Sequence, residues 1–184
     1  NGLGFIGPEW FVDQHFLARG RIGRMVVAQR DLGYRFGVGV EEDTAILVSG
    51  GAAEVVGAKG VVLVDLGRAQ MGAGAPVTMT GITLSFAGPG DRFDLDTGSV
   101  IPAESRATGT EIRPETAEFD PYYGEEPFWT ADMLGNGVLL DAMAHALDSE
   151  AGQSGGIAFG PKPEGAADNI GFAFTVSRQP GSHG

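Results

Sequence analysis

Several residue types and patterns are scarce or missing in this chain of 184 residues. It contains no cysteine, which excludes disulfides and thiolate metal sites but does not decide between an extracytoplasmic and a cytosolic protein. The compartment stays unknown, with a slight preference for an extracytoplasmic one. No apolar run reaches the roughly 18 to 20 residues that a membrane-spanning helix needs. Only 12 Lys and Arg stand against 24 Asp and Glu, and the net charge of −12 argues against nucleic acid and anionic membrane surfaces as partners.

The composition predicts one ordinary domain over residues 1–184. With 42% hydrophobic and 20% charged residues, the chain is long enough to bury one sizeable core. Residues 97–130 are polar, acidic and contain proline, which predicts an inserted surface excursion. Hydrophobic patterns predict helices over 18–30 and 137–147, a loop over 67–77, and strands over 34–40, 44–48, 53–56, 60–64, 82–86, 157–159 and 171–176.

Residues 13–24, with the sequence D-Q-H-F-L-A-R-G-R-I-G-R, form the most informative segment. A histidine, a carboxylate, an amide and three guanidiniums fall within these twelve residues of a chain with few basic groups. Such arginines are typical of a site that holds something anionic. Arg21 and Arg24 are three residues apart in a predicted helix and can point the same way. The first three residues of the segment are expected at the end of a strand, where open α/β sheets bind ligands.

Three ordered motifs resemble those of the cyanophycinase group of serine peptidases, which are relatives of peptidase E. They are the segment 13–24, the segment 39–46 (G-V-E-E-D-T-A-I) and the segment 90–95 (G-D-R-F-D-L). The resemblance is strong from residue 2 to about residue 65, returns at 91–95 and is faint elsewhere. It implies a flavodoxin-like, class I glutamine amidotransferase-like α/β fold with a doubly wound sheet, here with the acidic excursion and closing strands.

The resemblance also implies a serine peptidase that acts on cyanophycin-like peptides, in which arginine is attached to the side-chain carboxyls of an aspartate backbone. His15 would be the general base, and Glu42 would orient its imidazole. Substrate carboxylates would be gripped by arginines, and substrate amines or amides by a carboxylate or an amide. The implied substrate-binding residues are Asp13, Gln14, Arg19, Arg21 and Arg24. No cofactor is implied.

Taken without the resemblance, the same residues have simpler interpretations. An isolated His15 is more readily explained as an ordinary half-buried histidine. The triplet 41–43 (E-E-D) fits a solvated turn between two strands, and the arginines fit an exposed helix face whose stems cover apolar surface. Asp13 is a second candidate for the orienting acid, but it lies two residues from His15 on the same strand face and more naturally holds a substrate amine or backbone group.

The family's nucleophilic serine lies in a G-x-S-A-G turn upstream of the D-Q-H segment, and no G-x-S-x-G elbow can be read in this chain. Ser154 comes nearest, but it follows the histidine and a polar turn explains it. His145, in a predicted helix, and His183, in a polar tail, are weaker candidates for a base. We therefore expect a processed or partial chain, inactive alone, whose serine comes from an N-terminal partner segment within a homo-oligomer or a heterodimeric protomer.

Two other functions stay open. The excursion over 97–130 lies outside the resembling part and could change the substrate to an isoaspartyl dipeptide or another amide. Alternatively, the chain is a binding or assembly protein of the same fold without a nucleophile. No metal site is expected, because Asp91, Asp94 and Asp96 do not match the spacing of a calcium loop and the histidines form no zinc pattern.

Overall fold

The computed structural model describes residues 4–72, 78–106, 109–159 and 171–184. The chain divides into two units, Asn1–Thr108 and Gly109–Gly184. In the described ranges each unit combines strands with one α-helix, which confirms the predicted α/β class. The single domain and the insertion over 97–130 stay predictions, and the division between the two units falls inside that segment.

The first unit is built on two four-stranded sheets. Its helix is α1, Ile22–Leu32, and a short 3-10 turn covers Glu104–Arg106. Its strands are β1 (Trp10–Gln14), β2 (Phe36–Val40), β3 (Thr44–Ser49), β4 (Ala52–Gly57), β5 (Val61–Asp65), β6 (Gln70–Met71), β7 (Met79–Thr80), β8 (Thr83–Ala87), β9 (Arg92–Asp94) and β10 (Val100–Ile101). The first sheet has the order β1-β2-β5-β8, the second has the order β10-β9-β4-β3, and β6 pairs with β7.

The β1-α1-β2 segment brings two strand ends to the same edge of the first sheet. β1 and β2 pair in parallel, from Trp10 opposite Phe36 to Gln14 opposite Val40. Neighbouring parallel strands need a crossover connection, which α1 supplies, whereas β5 and β8 are added antiparallel. The residues that follow β1 and β2 therefore lie at one edge, where open α/β sheets bind ligands.

The core of the first unit contains side chains from both of its sheets. Trp10 stacks on Phe36 with 4.9 Å between ring centroids, and it meets Phe93 of β9 at 5.3 Å. The indole N–H of Trp10 donates to the backbone oxygen of Leu95 at 2.8 Å, so this large side chain is buried with its polar atom satisfied. The core thus holds β1, the strand that leads into the 13–24 segment.

The 90–95 segment (G-D-R-F-D-L) forms a turn and the short strand β9. The buried carboxylate of Asp91 accepts hydrogen bonds from the backbone N–H groups of Gly88 and Ala103 and from Arg106. Asp94 caps the next turn by accepting from the backbone and hydroxyl of Thr97, which lowers the pKa of its carboxyl below the ordinary value. Both carboxylates therefore organise backbone turns.

The second unit contains β11 (Phe128–Thr130), α2 (Val138–Leu147), β12 (Gln153–Phe159) and β13 (Gly171–Ser177). β12 lies in the middle of the sheet, parallel to β11 and antiparallel to β13. A small core forms around Met133, Ala142 of α2 and Ala158 of β12. None of the helices in the described ranges has both the length and the hydrophobicity that a membrane crossing requires.

Several predicted element positions differ from the structure. Helix α1 begins at Ile22 and not at residue 18, because residues 16–21 form a turn in which the N–H of Arg21 donates to the oxygen of Phe16. β12 begins four residues before the predicted strand over 157–159. The predicted loop over 67–77 contains β6, and residues 73–77 lie outside the described ranges.

Gly39 in β2 has no room for a side chain, because a Cβ at this position would lie 2.2 Å from Cγ of the buried Phe16. We expect Gly39→Ala to lower the free energy of unfolding by about 1 to 3 kcal/mol, the range typical of an overpacked core. Gly23→Ala is the matched control. A Cβ on Gly23 meets nothing within 4 Å, and alanine there should stabilise α1 by about 0.5 to 1 kcal/mol. Urea denaturation measures both, and equal stability of the two variants would contradict the packing of Phe16 on Gly39.

Candidate active site

His15 and Glu42 meet at the edge formed by the ends of β1 and β2. His15 directly follows β1, and Glu42 is the second residue after β2. The imidazole Nδ1 and the carboxylate Oε1 are 3.0 Å apart, and the two side chains are 38% and 42% exposed. The other ring nitrogen, Nε2, has no hydrogen-bond partner among the residues that the structure describes. A carboxylate on Nδ1 favours the tautomer with the proton on that atom, which leaves Nε2 able to accept a proton.

The second carboxylate oxygen of Glu42 faces Lys59. The ammonium of Lys59 lies 3.7 Å from Oε2, in the turn between β4 and β5. The backbone N–H of Lys59 donates to the hydroxyl of Thr44 at 3.2 Å, and that hydroxyl donates to the backbone oxygen of Glu42 at 3.2 Å. Glu42 therefore has a partner on each carboxylate oxygen.

His15 has an uncommon backbone conformation, with φ at +51°. A residue other than glycine in this left-handed region carries a cost of roughly 1 to 3 kcal/mol, so the surrounding structure must hold it there. The next residue, Phe16, is buried and rests against Gly39 of β2. The chain after His15 is thereby anchored to the sheet.

Glu41, which directly follows β2, is buried at 6% exposure. Its Oε2 accepts the N–H groups of Leu17 at 2.7 Å and Ala18 at 3.0 Å, and its Oε1 accepts the N–H of Glu42 at 2.9 Å. The interpretation of residues 41–43 as a solvated turn is therefore wrong for Glu41. Sequence reasoning did not single out this residue, and its only signal was its place between a buried strand and Glu42.

Asp13 is a buried carboxylate held by two arginines. Arg21 donates to its Oδ1 at 2.9 Å, and Arg24 donates to both of its oxygens. Burial raises the pKa of Asp13, but hydrogen bonds from Arg24, from the backbone N–H of Gln14 and from Arg21 outweigh burial, and the pKa lies below the ordinary value of 3.8. As predicted from their spacing, Arg21 and Arg24 point the same way, but towards Asp13.

This arrangement bears on the residues expected to bind substrate. Asp13, Arg21 and Arg24 are engaged with one another, although the side chain of Arg24 is still 58% exposed. Arg19 is exposed and has no ion-pair partner among the described residues, and Gln14 is also exposed. A role in substrate binding stays a prediction for these residues, and Arg19 is the guanidinium with the most freedom to take it.

The other candidates from the sequence lie in the second unit. His145 is stacked between Tyr123 and Phe128, with ring centroids 3.6 and 4.7 Å away, as expected for a histidine within a packed helix. Ser154 is buried at 1% exposure inside β12, so its hydroxyl does not stand on an exposed elbow. His183 contacts the backbone oxygen of Gly181. Among the described residues, no group of three or more His, Asp or Glu side chains could hold a metal ion.

About half of the chain is similar in sequence to known proteins. The cyanophycinases of Trichormus variabilis and of a Nostoc species are each 38% identical to the chain over 112 residues, and that of Geminocystis herdmanii is 35% identical over 103 residues. The chain is related to the cyanophycinases. The match covers 52 to 57% of the chain and 37 to 38% of these relatives.

The relationship to cyanophycinases agrees with the resemblance seen in the sequence motifs. It also agrees with the mixed α/β architecture of several sheets and few helices that the flavodoxin-like fold implies. No family model matches the chain. The chain spans little more than a third of the length of the curated relatives it matches, so the activity of a whole cyanophycinase passes to it only as a proposal.

Proposed function

We propose that this chain is part of a cyanophycinase-like serine peptidase that hydrolyses β-aspartyl-arginine bonds. The observation that carries the proposal is the His15–Glu42 pair, with Nδ1 3.0 Å from a carboxylate oxygen at the shared end of two parallel strands. The sequence similarity to the cyanophycinases of Trichormus variabilis and a Nostoc species supports the choice of reaction. The nucleophilic serine would come from an N-terminal segment or chain.

In the proposed reaction, His15 acts as general base. Its Nε2 takes the proton of the serine hydroxyl as the oxygen attacks the amide carbon, and it later returns a proton to the leaving amine. Glu42 holds the imidazole in the productive tautomer and stabilises its cation. The half-exposed position of both side chains leaves them accessible to a substrate.

Each unit of a cyanophycin-like substrate has one carboxylate and one guanidinium. We assign the carboxylate to Arg19, which is exposed two residues beyond the buried pair Phe16 and Leu17, and to the exposed part of Arg24. A guanidinium grips a carboxylate in a bidentate manner.

The first experiment compares hydrolysis of β-aspartyl-arginine, β-aspartyl-lysine and an uncharged analogue by the protein that contains this chain and its nucleophile-bearing segment. We expect kcat/KM to be at least about tenfold higher for the arginine substrate, because a site built around one hydrogen-bonding pattern rejects analogues that leave it unpaired. Equal rates on all three would contradict the cyanophycin-like specificity and favour another amide.

A second arm of this experiment tests the need for a partner serine. The isolated chain should not hydrolyse any of the three peptides, because a base without a positioned nucleophile has nothing to activate. Denaturing mass spectrometry of the assay sample shows whether a second peptide is present. Hydrolysis by the 184-residue chain alone, lost on His15→Ala, would overturn the assignment of the serine to another segment.

A further inference from the structure

The buried carboxylate of Glu41 joins the two chain segments that carry His15 and Glu42. One oxygen, Oε2, accepts from the backbone N–H groups of Leu17 and Ala18, which lie two and three residues after His15. The other oxygen, Oε1, accepts from the N–H of Glu42. A single side chain therefore contacts the backbone on both sides of the His15–Glu42 hydrogen bond.

This connection begins where the sheet ends. The parallel pairing of β1 with β2 stops at Gln14 opposite Val40, so hydrogen bonds between these two strands do not hold together the segments that follow them. On the β2 side, the N–H of Glu41 still donates to the oxygen of Gly60, which keeps its backbone on the sheet. From this fixed backbone, the Glu41 side chain extends to the turn after β1. There it accepts hydrogen bonds that connect the two segments beyond the end of the strand pairing.

The turn after β1 needs such support because His15 has a positive φ of 51°. A left-handed residue other than glycine persists only where its surroundings hold it. Phe16 packs on Gly39 and anchors the hydrophobic side of the turn, while Glu41 satisfies the amides of Leu17 and Ala18 on its polar side. Without the carboxylate, these two N–H groups would lose this acceptor, and buried N–H groups without a hydrogen-bond partner are strongly disfavoured.

The geometry points to Glu41 as a positioning residue that sets the distance and direction of the His15–Glu42 hydrogen bond, an inference that rests on the function proposed above. A carboxylate is required because both of its oxygens accept hydrogen bonds. Glutamine at this position would keep the size of the side chain but would place an NH₂ group against the N–H of Glu42 or against those of Leu17 and Ala18. Glu41 does not touch the reacting atoms, and it acts through the backbone of its neighbours.

The test is ¹⁵N NMR of the histidine side chains in wild type, Glu41→Gln and Asp91→Asn. Asp91 is a matched control, because it is also buried and also accepts two backbone N–H groups in the first unit. In Glu41→Gln we expect the ratio of the Nδ1–H to the Nε2–H tautomer of His15 to fall by about tenfold, the effect of losing one well-placed hydrogen bond. In Asp91→Asn, this ratio should not change. The signals of His145 and His183 serve as internal references.

A tautomer ratio at His15 that is unchanged in a folded Glu41→Gln variant would overturn the inference, as would an equal fall in both variants. If Glu41→Gln does not fold, native-state hydrogen exchange of the wild-type chain decides. The amides of Leu17 and Ala18 should then open in the same step as the Nδ1–H of His15, below the free energy of global unfolding. Opening of His15 in a separate step would contradict the inference.

The proposed function and the positioning role of Glu41 are tested by separate measurements. The NMR measurement reports the geometry of the His15–Glu42 pair even if the assembled protein hydrolyses no β-aspartyl peptide. In an active protein, Glu41→Gln should lower kcat by about tenfold with little change in KM. A displaced base stabilises the transition state less well but leaves the binding of substrate unchanged. Asp91→Asn should alter neither constant, and a rise in KM alone would assign Glu41 to substrate binding.

Discussion

Replacement of His15 by alanine is expected to lower kcat for β-aspartyl-arginine hydrolysis by about 10² to 10⁴, the range for loss of a general base. The reason is that the imidazole, held at 3.0 Å from Glu42, is the group proposed to take the proton of the serine. KM should change little, because the base contributes to the transition state. Steady-state kinetics of the assembled protein measure both constants.

His183→Ala is the matched control for this prediction. His183 lies in the second unit, near the end of the sequence, where its Nδ1 contacts the backbone oxygen of Gly181. The control variant should keep the wild-type kcat. A His15→Ala variant that retains more than about a tenth of the activity would rule out general-base catalysis by this residue.

Replacement of Asp13 by asparagine is expected to lower the free energy of unfolding at pH 7 by about 3 kcal/mol. This value lies at the lower end of the range for breaking a buried ion pair, because Arg24 is 58% exposed and can turn into solvent. Arg21 is only 17% exposed and would lose its charged partner. Urea denaturation of the wild type and the variant gives the difference directly.

The loss of stability caused by Asp13→Asn should depend on pH. The pKa of Asp13 in the folded chain is below the ordinary value of 3.8, so its carboxylate contributes stability above that value. This contribution is lost as the pH falls below 3.8 and through the lowered pKa. The difference in the free energy of unfolding between wild type and Asp13→Asn should therefore be largest near neutral pH and should disappear in strong acid.

Asp31→Asn is the control for Asp13→Asn, since Asp31 pairs with Arg30 on the exposed surface of α1. Exposed pairs contribute little, so this variant should resemble wild type at every pH. Two results would show that the buried ion pair of Asp13 does not stabilise the fold in this way. One is an equal loss of stability in both variants, and the other is a loss in Asp13→Asn that grows in acid.

Much of the fold was predictable from hydrophobic patterns. β3 and β13 fall within one residue of the predicted strands at each end, and α2 falls within one residue of the predicted helix. The beginning of α1 was not predictable in this way. The turn over 16–21 depends on Phe16 packing against Gly39 and on Glu41 accepting two amides, and both contacts cross more than twenty residues of sequence.

The candidate site divides in the same manner. The sequence motifs selected His15 and Glu42, and the structure brings these two side chains within hydrogen-bonding distance. The arginines were interpreted as a substrate cluster, yet Arg21 and Arg24 hold Asp13. The charge and spacing of the arginines show that their side chains can bind an anion together. They do not show whether that anion is a substrate carboxylate or the buried carboxylate of Asp13.

The sequence by itself determined the α/β class, the order of most strands and helices, and the pair of residues proposed for proton transfer. These features follow from local hydrophobic periodicity and from motifs that lie within short segments. Only the tertiary structure decided the division into two units, the ion pair of Asp13 and the position of Glu41 between the ends of β1 and β2. Each of these depends on contacts between distant segments, whose burial and hydrogen bonding are set when the chain packs.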